Sequence, residues 1–392
     1  MKKKLVVIPS DPIHDYEAKG TSFWLEEYYN PNGFFDEVYV LSPKETISRI
    51  VYGLKIIPVR TAKEYRNKLK QIKPICVRSY GGYWATEFAN SNRIKNIPII
   101  SSVHDTSLEL MFKSLKYSDH IITMSTVIRD ILIREKLATE PKISILGNRV
   151  DTAKFDYFPN LNDEDFELFK IPKNKKIVLH IGRKSAEKNI ETVIKSLKYL
   201  ENDTILILIG QGDFIKYKGL ISSLKLDDRV FNFEKVENHQ LPKLYNLADV
   251  FCVPSKWEGF GLVFIEAAAC KTKIVTSNIA PINEFLINDG VMNCLLNDFD
   301  VPQSIAKAIN KLLNNNEINE NSREIIVNRF DKSVISKNEV DIYKRLINTK
   351  FHKTLEYRIW FIEKRLKTEV YPKLRKTVKL PQRIWKKMLS YL

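Results

Sequence analysis

Short apolar runs recur through the first part of the chain: "KLVVIP" (4–9), "EVYVLS" (37–42), "PICVRSY" (74–80), "IPIISSV" (97–103), "HIITMS" (120–125) and "KISILG" (142–147). Between them apolar residues return every three or four positions, as in "AKEYRNKLKQI" and "TVIRDILIREKL". Continuous apolar strands flanked by amphipathic helices predict a parallel sheet covered on both faces.

The alternation breaks over 152–175, where two prolines sit among many polar residues, and then resumes. Strands are predicted at "KIVLHIG" (176–182), "TILILIG" (204–210), "RVFNFE" (229–234), "DVFCVPS" (249–255) and "KIVTS" (273–277). The pattern therefore reads as a first α/β domain over 1–151, a linker and lead-in over 152–175, and a second α/β domain over 176–330. A closing helix over 331–350 and an extension over 351–392 follow. Ligands in doubly wound sheets bind outside the carboxyl ends of the strands, and the cleft between two such domains is the expected site.

Bulk composition supports a folded protein: 392 residues, 44% hydrophobic and 28% charged. No apolar run approaches the roughly 20 residues of a spanning helix. "MKKK" is followed only by Leu5–Ile8 before Pro9, too little for a signal-peptide core, so a cytoplasmic protein is expected. Cys76, Cys252, Cys270 and Cys294 lie in apolar stretches without metal-ligand spacing and read as buried free thiols. Net charge is +16, of which residues 351–392 carry +9, so the tail needs its own explanation.

Chemistry is sought at the strand ends. "WEGFGLVFIEAAAC" (257–270) runs from loop to helix and places Glu258 and Glu266 eight positions apart. Gly259, Phe260, Gly261 and Leu262 form a turn that allows close backbone approach. The free N–H groups opening the helix favour a phosphate, and Ser255 adds a hydroxyl. A phosphate site between two hydroxyl-accepting carboxylates suits a nucleotide sugar. The spacing is equally met by a solvated loop glutamate followed by an acid near a helix start.

"IGRKSAEKN" (181–189) puts Arg183 and Lys188 at another strand end, where two cations neutralise a diphosphate or simply make a basic loop. "IGQG" (209–212) lacks the third glycine of a dinucleotide fingerprint, which argues against a nicotinamide dehydrogenase. Gly210 and Gly212 then read as a turn lining a nucleotide pocket. His104 ends a first-domain strand, where it either faces a sugar or is structural. The pairs Asp163/Asp165 and Asp298/Asp300 match a metal-holding pattern, but the first lies in the linker and Asp300 reads as a helix N-cap, so no metal site is assigned.

Taken in order, "IPIISSVHD", "DHIITMS", "ISILGNRVDTAKF", "IGRKSAEKN", "ILIGQG", "LPKLYNLADVFCVPSKWEGFGLVFIEAAAC" and "INEFLINDG" resemble the family 4 glycosyltransferases. The match spans about 97–290 and runs more loosely to about 350. It implies a GT-B fold, two facing Rossmann-like doubly wound domains. The first would lie on the acceptor side and the second would bind the nucleotide sugar.

By position the resemblance implies a role for each residue. Glu258 would contact the donor sugar, Glu266 the ribose, and Arg183 and Lys188 the diphosphate. The backbone at 260–262 would hold sugar and phosphate, and His104 would lie near the reaction centre. Asn148 and Asp151 match an "N-x-x-D" that reads as a hinge. The family transfers sugars with retention and without a metal ion or other cofactor. One departure stands out. Members often carry a glycine pair in the first loop, whereas here that loop holds Gly20 alone and Gly81–Gly82 come later.

The expected function is transfer of a sugar from a nucleotide-diphosphate donor to a hydroxyl on a glycan or lipid-linked acceptor. A phosphorylase or nucleotide-sugar epimerase on the same fold remains an alternative, as does a non-catalytic basic binding protein. In the tail, Leu355, Ile359, Ile362 and Leu366 fall at helical spacing beside Tyr357, Trp360 and Phe361. Beyond Pro372 and Pro381, Ile384, Trp385, Met388, Leu389 and Leu392 repeat the theme. Basic residues with interfacial aromatics predict contact with an anionic membrane surface, placing the protein at the inner face of the cell membrane. Packing of the same helices on the body is the competing reading. No nucleic-acid partner is expected.

Overall fold

The structure, a computed structural model, describes residues 2–94, 96–290, 292–347 and 354–366. The chain divides into two compact units. The first takes in the residues up to Thr123, then Ile128–Ile145, and resumes at Glu339; the second holds Met124–Val127 and Leu146–Asn338.

The first unit is built on an eight-stranded sheet. Its strands are β1 (Lys4–Ile8), β2 (Glu37–Ser42), β3 (Arg49–Val51), β4 (Leu54–Pro58), β5 (Cys76–Tyr80), β6 (Ile99–Val103), β7 (His120–Thr123) and β8 (Ile143–Ile145), in the order β3-β4-β2-β1-β5-β6-β7-β8. Pairing is parallel except between β3 and β4. That hairpin escaped the sequence pattern. "RIVYGLKIIP" contains no Asn-Gly or Asp-Gly signal, yet Tyr52 (φ 51°) and Gly53 (φ 66°) make the two-residue positive-φ turn that right-twisted strands favour. The chain reverses direction across the sheet between β1 and β5.

The second unit has six strands: β9 (Lys176–Ile181), β10 (Thr204–Ile209), β11 (Val230–Phe233), β12 (Val250–Val253), β13 (Lys273–Ser277) and β14 (Asn293–Leu296). They run in parallel pairs in the order β11-β10-β9-β12-β13-β14. β14 is too short and too polar at its start to show as a hydrophobic run. Val178, Leu206, Leu208, Val250 and Cys252 from the sheet pack with Ile190, Val193 and Ile194 of one helix and Ile305, Ile309 and Leu312 of another. Those helix residues recur every three or four positions, which is why one stripe of each helix is buried. The switch in strand order falls between β9 and β12. The four cysteines are buried and unbridged.

Residues 152–175 fold on the second unit. Asn162 caps the helix Asp163–Leu168 in a reciprocal capping box with Asp165, and Lys243 reaches Asp165 at 2.6 Å. Asp163 pairs with Lys173 at 3.0 Å, and Asp300 accepts from Asn189 at 3.1 Å. Asp165 is thus committed to a cap and an ion pair and Asp163 to an ion pair, but Asp300 is not the N-cap expected: Val301 precedes the helix Pro302–Leu313, no side chain caps it, and the Asp300 carboxylate turns to Asn189 and Lys256 instead. The helix Lys332–Ile347 begins in the second unit and ends in the first, where Glu339 faces Arg78 at 3.5 Å with both side chains buried.

Part of the extension also belongs to the first unit. In the helix Leu355–Arg365, Tyr357 donates to the Asn90 carbonyl at 3.1 Å and Trp360 lies 4.5 Å from the Tyr117 ring. Its aromatic face thus packs on the body, while Leu355, Ile359 and Ile362 remain 73%, 59% and 59% exposed. The second tail motif, Ile384 to Leu392, lies outside the described residues.

Candidate functional site

In the second unit, three strand-end loops meet at the switch between β9 and β12, the place where open α/β sheets bind ligands. The β9 loop carries Lys188, whose ammonium lies 2.5 Å from a Glu258 carboxylate oxygen. Ser255, at the end of β12, donates to that same oxygen at 2.7 Å. Glu258 is only 9% exposed. The two loops are tied together by a backbone bond from Lys256 N–H to the Glu187 carbonyl, 2.8 Å. Beneath them, the buried His180 ring lies 3.2 Å from the Lys188 carbonyl. Burial disfavours the imidazolium and pulls His180 down to about 4 from 6.5. A neutral ring under Lys188 adds no positive charge to the loop.

The helix Leu262–Ala269 starts beside this cluster. Gly261 precedes it at φ 91°, and no side chain caps it. An alanine Cβ there would lie 2.6 Å from the Phe264 ring, so the turn requires glycine. Phe260 stacks on Phe285 with centroids 5.4 Å apart and meets Phe330 edge-on at 5.5 Å. The turn is therefore anchored by an aromatic cluster. Glu266, one turn into the helix, is 6% exposed and accepts from Tyr245 Oη at 2.9 Å. Burial raises its carboxyl to about 7, with the Tyr245 bond and Lys154 only partly offsetting that.

In the first unit a second recess sits at the ends of β1, β5 and β6, next to that sheet's own switch point. It encloses ≈ 240 Å³ and includes Ser10, Gly81, Gly82 and His104. His104 lies 6.2 Å from Tyr80, centroid to centroid. A Cβ on Gly81 (φ 86°) would strike the Tyr83 ring at 2.5 Å, and one on Gly82 would strike the Leu110 carbonyl at 2.8 Å. The displaced glycine pair thus shapes the same recess as the first loop.

Residues 162–347 match the model of "Glycosyl transferases group 1". Over 366 residues the chain is 27% identical to an uncharacterised glycosyltransferase of Methanocaldococcus jannaschii, covering 84% of this chain and 90% of that one. This is a glycosyltransferase, with a group 1 domain over residues 162–347. The transferase is also 26% identical over 274 residues to the UDP-Gal:alpha-D-GlcNAc-diphosphoundecaprenol alpha-1,3-galactosyltransferase of Escherichia coli, covering 61% of this chain and 67% of that one. Its fold is GT-B. A glycosyltransferase from Rickettsia africae superposes with a TM-score of 0.72 at 20% identity, covering 89% of this chain and 99% of that one.

The transferase brings Lys188, Ser255 and Glu258 into direct contact and sets the 259–262 turn beside them. Arg183 stands apart from that trio. Its side chain is 80% exposed and reaches Glu187 at 3.3 Å. Gly210 and Gly212 have a steric role. A Cβ on Gly210 would fall 2.0 Å from the Gly182 carbonyl oxygen, and one on Gly212 would fall 2.9 Å from the Lys184 side chain. Their absence of side chains lets the β10 loop lie against the β9 loop.

Sequence reasoning missed Lys184, whose ammonium is buried on the Gly210 carbonyl and bridges those loops. It also missed the aromatic wall of the first-unit recess, Tyr16, Trp24, Tyr28, Tyr80 and Tyr83. The available signal was "SFWLEEYYN", where aromatic residues cluster in a segment too polar for core.

Proposed function

We propose that the transferase moves a sugar from a nucleotide-diphosphate donor to a hydroxyl acceptor, with retention at the anomeric carbon and without a metal ion, as in family 4. The observation that carries the reading is the Lys188–Glu258–Ser255 cluster against an uncapped helix start. Glu258 holds donor-sugar hydroxyls, and Glu266 holds the ribose. The N–H groups from Gly261 onward take phosphate oxygens. Lys188 and Arg183 neutralise the diphosphate as it departs.

In the transfer step the bond between the anomeric carbon and the phosphate oxygen breaks. The acceptor oxygen bonds to that carbon from the same face. The acceptor proton passes to the leaving phosphate oxygen. The protein's contribution is placement of both substrates and preorganised charge at the leaving group. By the family resemblance, His104 is assigned a contact with the transferred sugar. The Escherichia coli relative's name supports a UDP-linked donor and a lipid-diphosphate-linked acceptor.

The exposed aliphatic stripe of the helix Leu355–Arg365, continued by the basic tail sequence, supports a peripheral enzyme at the inner membrane face. The test is product analysis with a nucleotide-sugar panel. A glycoside of retained configuration, lost in Glu258→Gln and Lys188→Ala, is expected. An inverted product, or turnover only by hydrolysis or epimerisation without acceptor, overturns the reading. Co-sedimentation with anionic vesicles should weaken in Ile359→Asp/Ile362→Asp; unchanged binding removes the membrane contact.

A further inference from the structure

The recess of the first unit has a composition the transfer reaction does not by itself explain. One wall is aromatic. Trp24 meets Tyr28 edge-on at 4.4 Å, Tyr28 lies 5.2 Å from Tyr80, and Tyr16 and Tyr83 complete the lining. The opposite rim is polar, with Ser10, His104 and Asp105. Asp105 is held in place by a bond from the Ser107 N–H at 2.7 Å and is exposed to the recess opening. Among the described residues that line it, none is lysine or arginine.

Two nearby cations are already engaged. Lys44 donates to the Ser10 backbone carbonyl at 3.0 Å and lies over the Trp84 ring. Arg78 sits behind the Tyr80 ring, buried and ion-paired with Glu339. The charge facing the recess is therefore that of a carboxylate. This is an unusual feature in a chain of net charge +16.

The volume is also restrictive. At ≈ 240 Å³ the recess is smaller than the roughly 300–1,000 Å³ of pockets that enclose drug-sized ligands, so it takes a single ring. The rings of this wall are turned against one another, so a single aromatic face is offered to a ring with an apolar C–H face. The Ser10 hydroxyl, the His104 ring and the Asp105 carboxylate bond ring hydroxyls, which a bare aromatic ring lacks. A carboxylate or phosphate on the ring would meet Asp105 with no cation to balance it.

We propose that this recess is an acceptor subsite for one uncharged sugar ring, stacked on the Trp24 face of the aromatic wall, with Asp105 excluding anionic sugars. The proposal rests on the reading that the transferase glycosylates a glycan acceptor. It fixes the class of that acceptor: the ring nearest the reaction is neutral, and any acidic or phosphorylated group lies beyond the recess.

Binding is measurable without donor or turnover. The full chain is titrated with a neutral methyl hexoside, the matching methyl hexuronide, a hexose 6-phosphate and benzyl alcohol, followed by saturation-transfer NMR. The neutral hexoside should bind at least tenfold more tightly than either anion. Trp24→Ala should weaken it at least tenfold, and Trp24→Phe, which keeps a stacking face, should restore most of that loss. Asp105→Asn should raise hexuronide affinity and narrow the gap to about threefold or less. Equal binding of neutral and anionic sugars overturns the proposal, as does a Trp24→Ala chain that folds and binds normally. Tighter binding of benzyl alcohol than of the hexoside also overturns it, in favour of an aromatic acceptor.

Hexoside binding without any nucleotide-sugar turnover would sink the transfer reading and keep the subsite. Turnover without hexoside discrimination would do the reverse.

Discussion

Glu266 offers a test that separates its chemistry from its packing. The carboxyl is almost fully buried, with one hydrogen bond from Tyr245 and no ion pair among the described contacts. Its value rises from 4.5 to about 7 because burial penalises the charged form. That shift corresponds to on the order of 3 kcal/mol. Because the folded value lies above the unfolded one, the carboxyl's contribution is fully present below pH 4.5. It is lost as pH rises through 7.

Glu266→Gln keeps the shape and the Tyr245 bond but cannot ionise. Its advantage over the parent should be small at pH 4.5 and grow to about 3 kcal/mol by pH 8. For a unit of this size that is roughly 6–12 °C in Tm, at about 2–4 °C per kcal/mol. The same variant should bind nucleotide diphosphate at least about tenfold more weakly, since a hydrogen bond to a charged group contributes roughly 1.5–3 kcal/mol. Thermal scans at pH 5 and pH 8, with calorimetric titration of UDP and GDP, measure both. A Tm difference that does not change with pH refutes the buried-carboxyl argument. Unchanged nucleotide affinity refutes the ribose assignment.

Other outcomes follow from the same geometry. Lys188→Ala should cut turnover on the order of 10²–10³-fold and also lower Tm, because it leaves the 9%-exposed Glu258 carboxylate without its counter-charge; steady-state kinetics on the folded variant checks the first and a thermal scan the second. Glu339→Gln leaves Arg78 buried without its counter-charge and should cost about 3–5 kcal/mol, while Arg78→Met/Glu339→Leu should recover most of it in urea unfolding. His180 and His120 are both held near 4 by burial, below their unfolded 6.5. Their stabilising contribution is complete above pH 6.5 and lost as pH falls towards 4. Acid unfolding across that window should be shallower in His180→Gln, and an unchanged curve would count against a buried neutral ring.

The alternation of apolar runs and amphipathic segments was enough to reach two parallel α/β sheets, because strands buried on both faces have no polar side to show. It missed β3 and β14, which are short and sit at sheet edges, and β4, which lies between β3 and β2 but is only alternately buried, so the apolar run is diluted. The candidate residues of the second unit could be picked out because their chemistry is local: glycines at a turn, acids and cations at strand ends. Which of them touch was not legible. Lys188 and Glu258 are 70 positions apart and meet only because β9 and β12 are neighbours, whereas Arg183, five positions from Lys188, faces solvent. The first-unit recess was invisible for the same reason, since its aromatic wall and polar rim come from the segments that follow three different strands, β1, β5 and β6.

The tail shows the division most plainly. Its sequence determined an amphipathic helix with aromatic and aliphatic positions at helical spacing. Tertiary structure decided that the aromatic face is spent on Tyr117 and Asn90 while the aliphatic stripe stays exposed. Periodicity reports only that a face is apolar. What covers that face depends on where the sheet's strand order delivers the neighbouring loops, and that order is set by long-range packing of residues far apart in the chain.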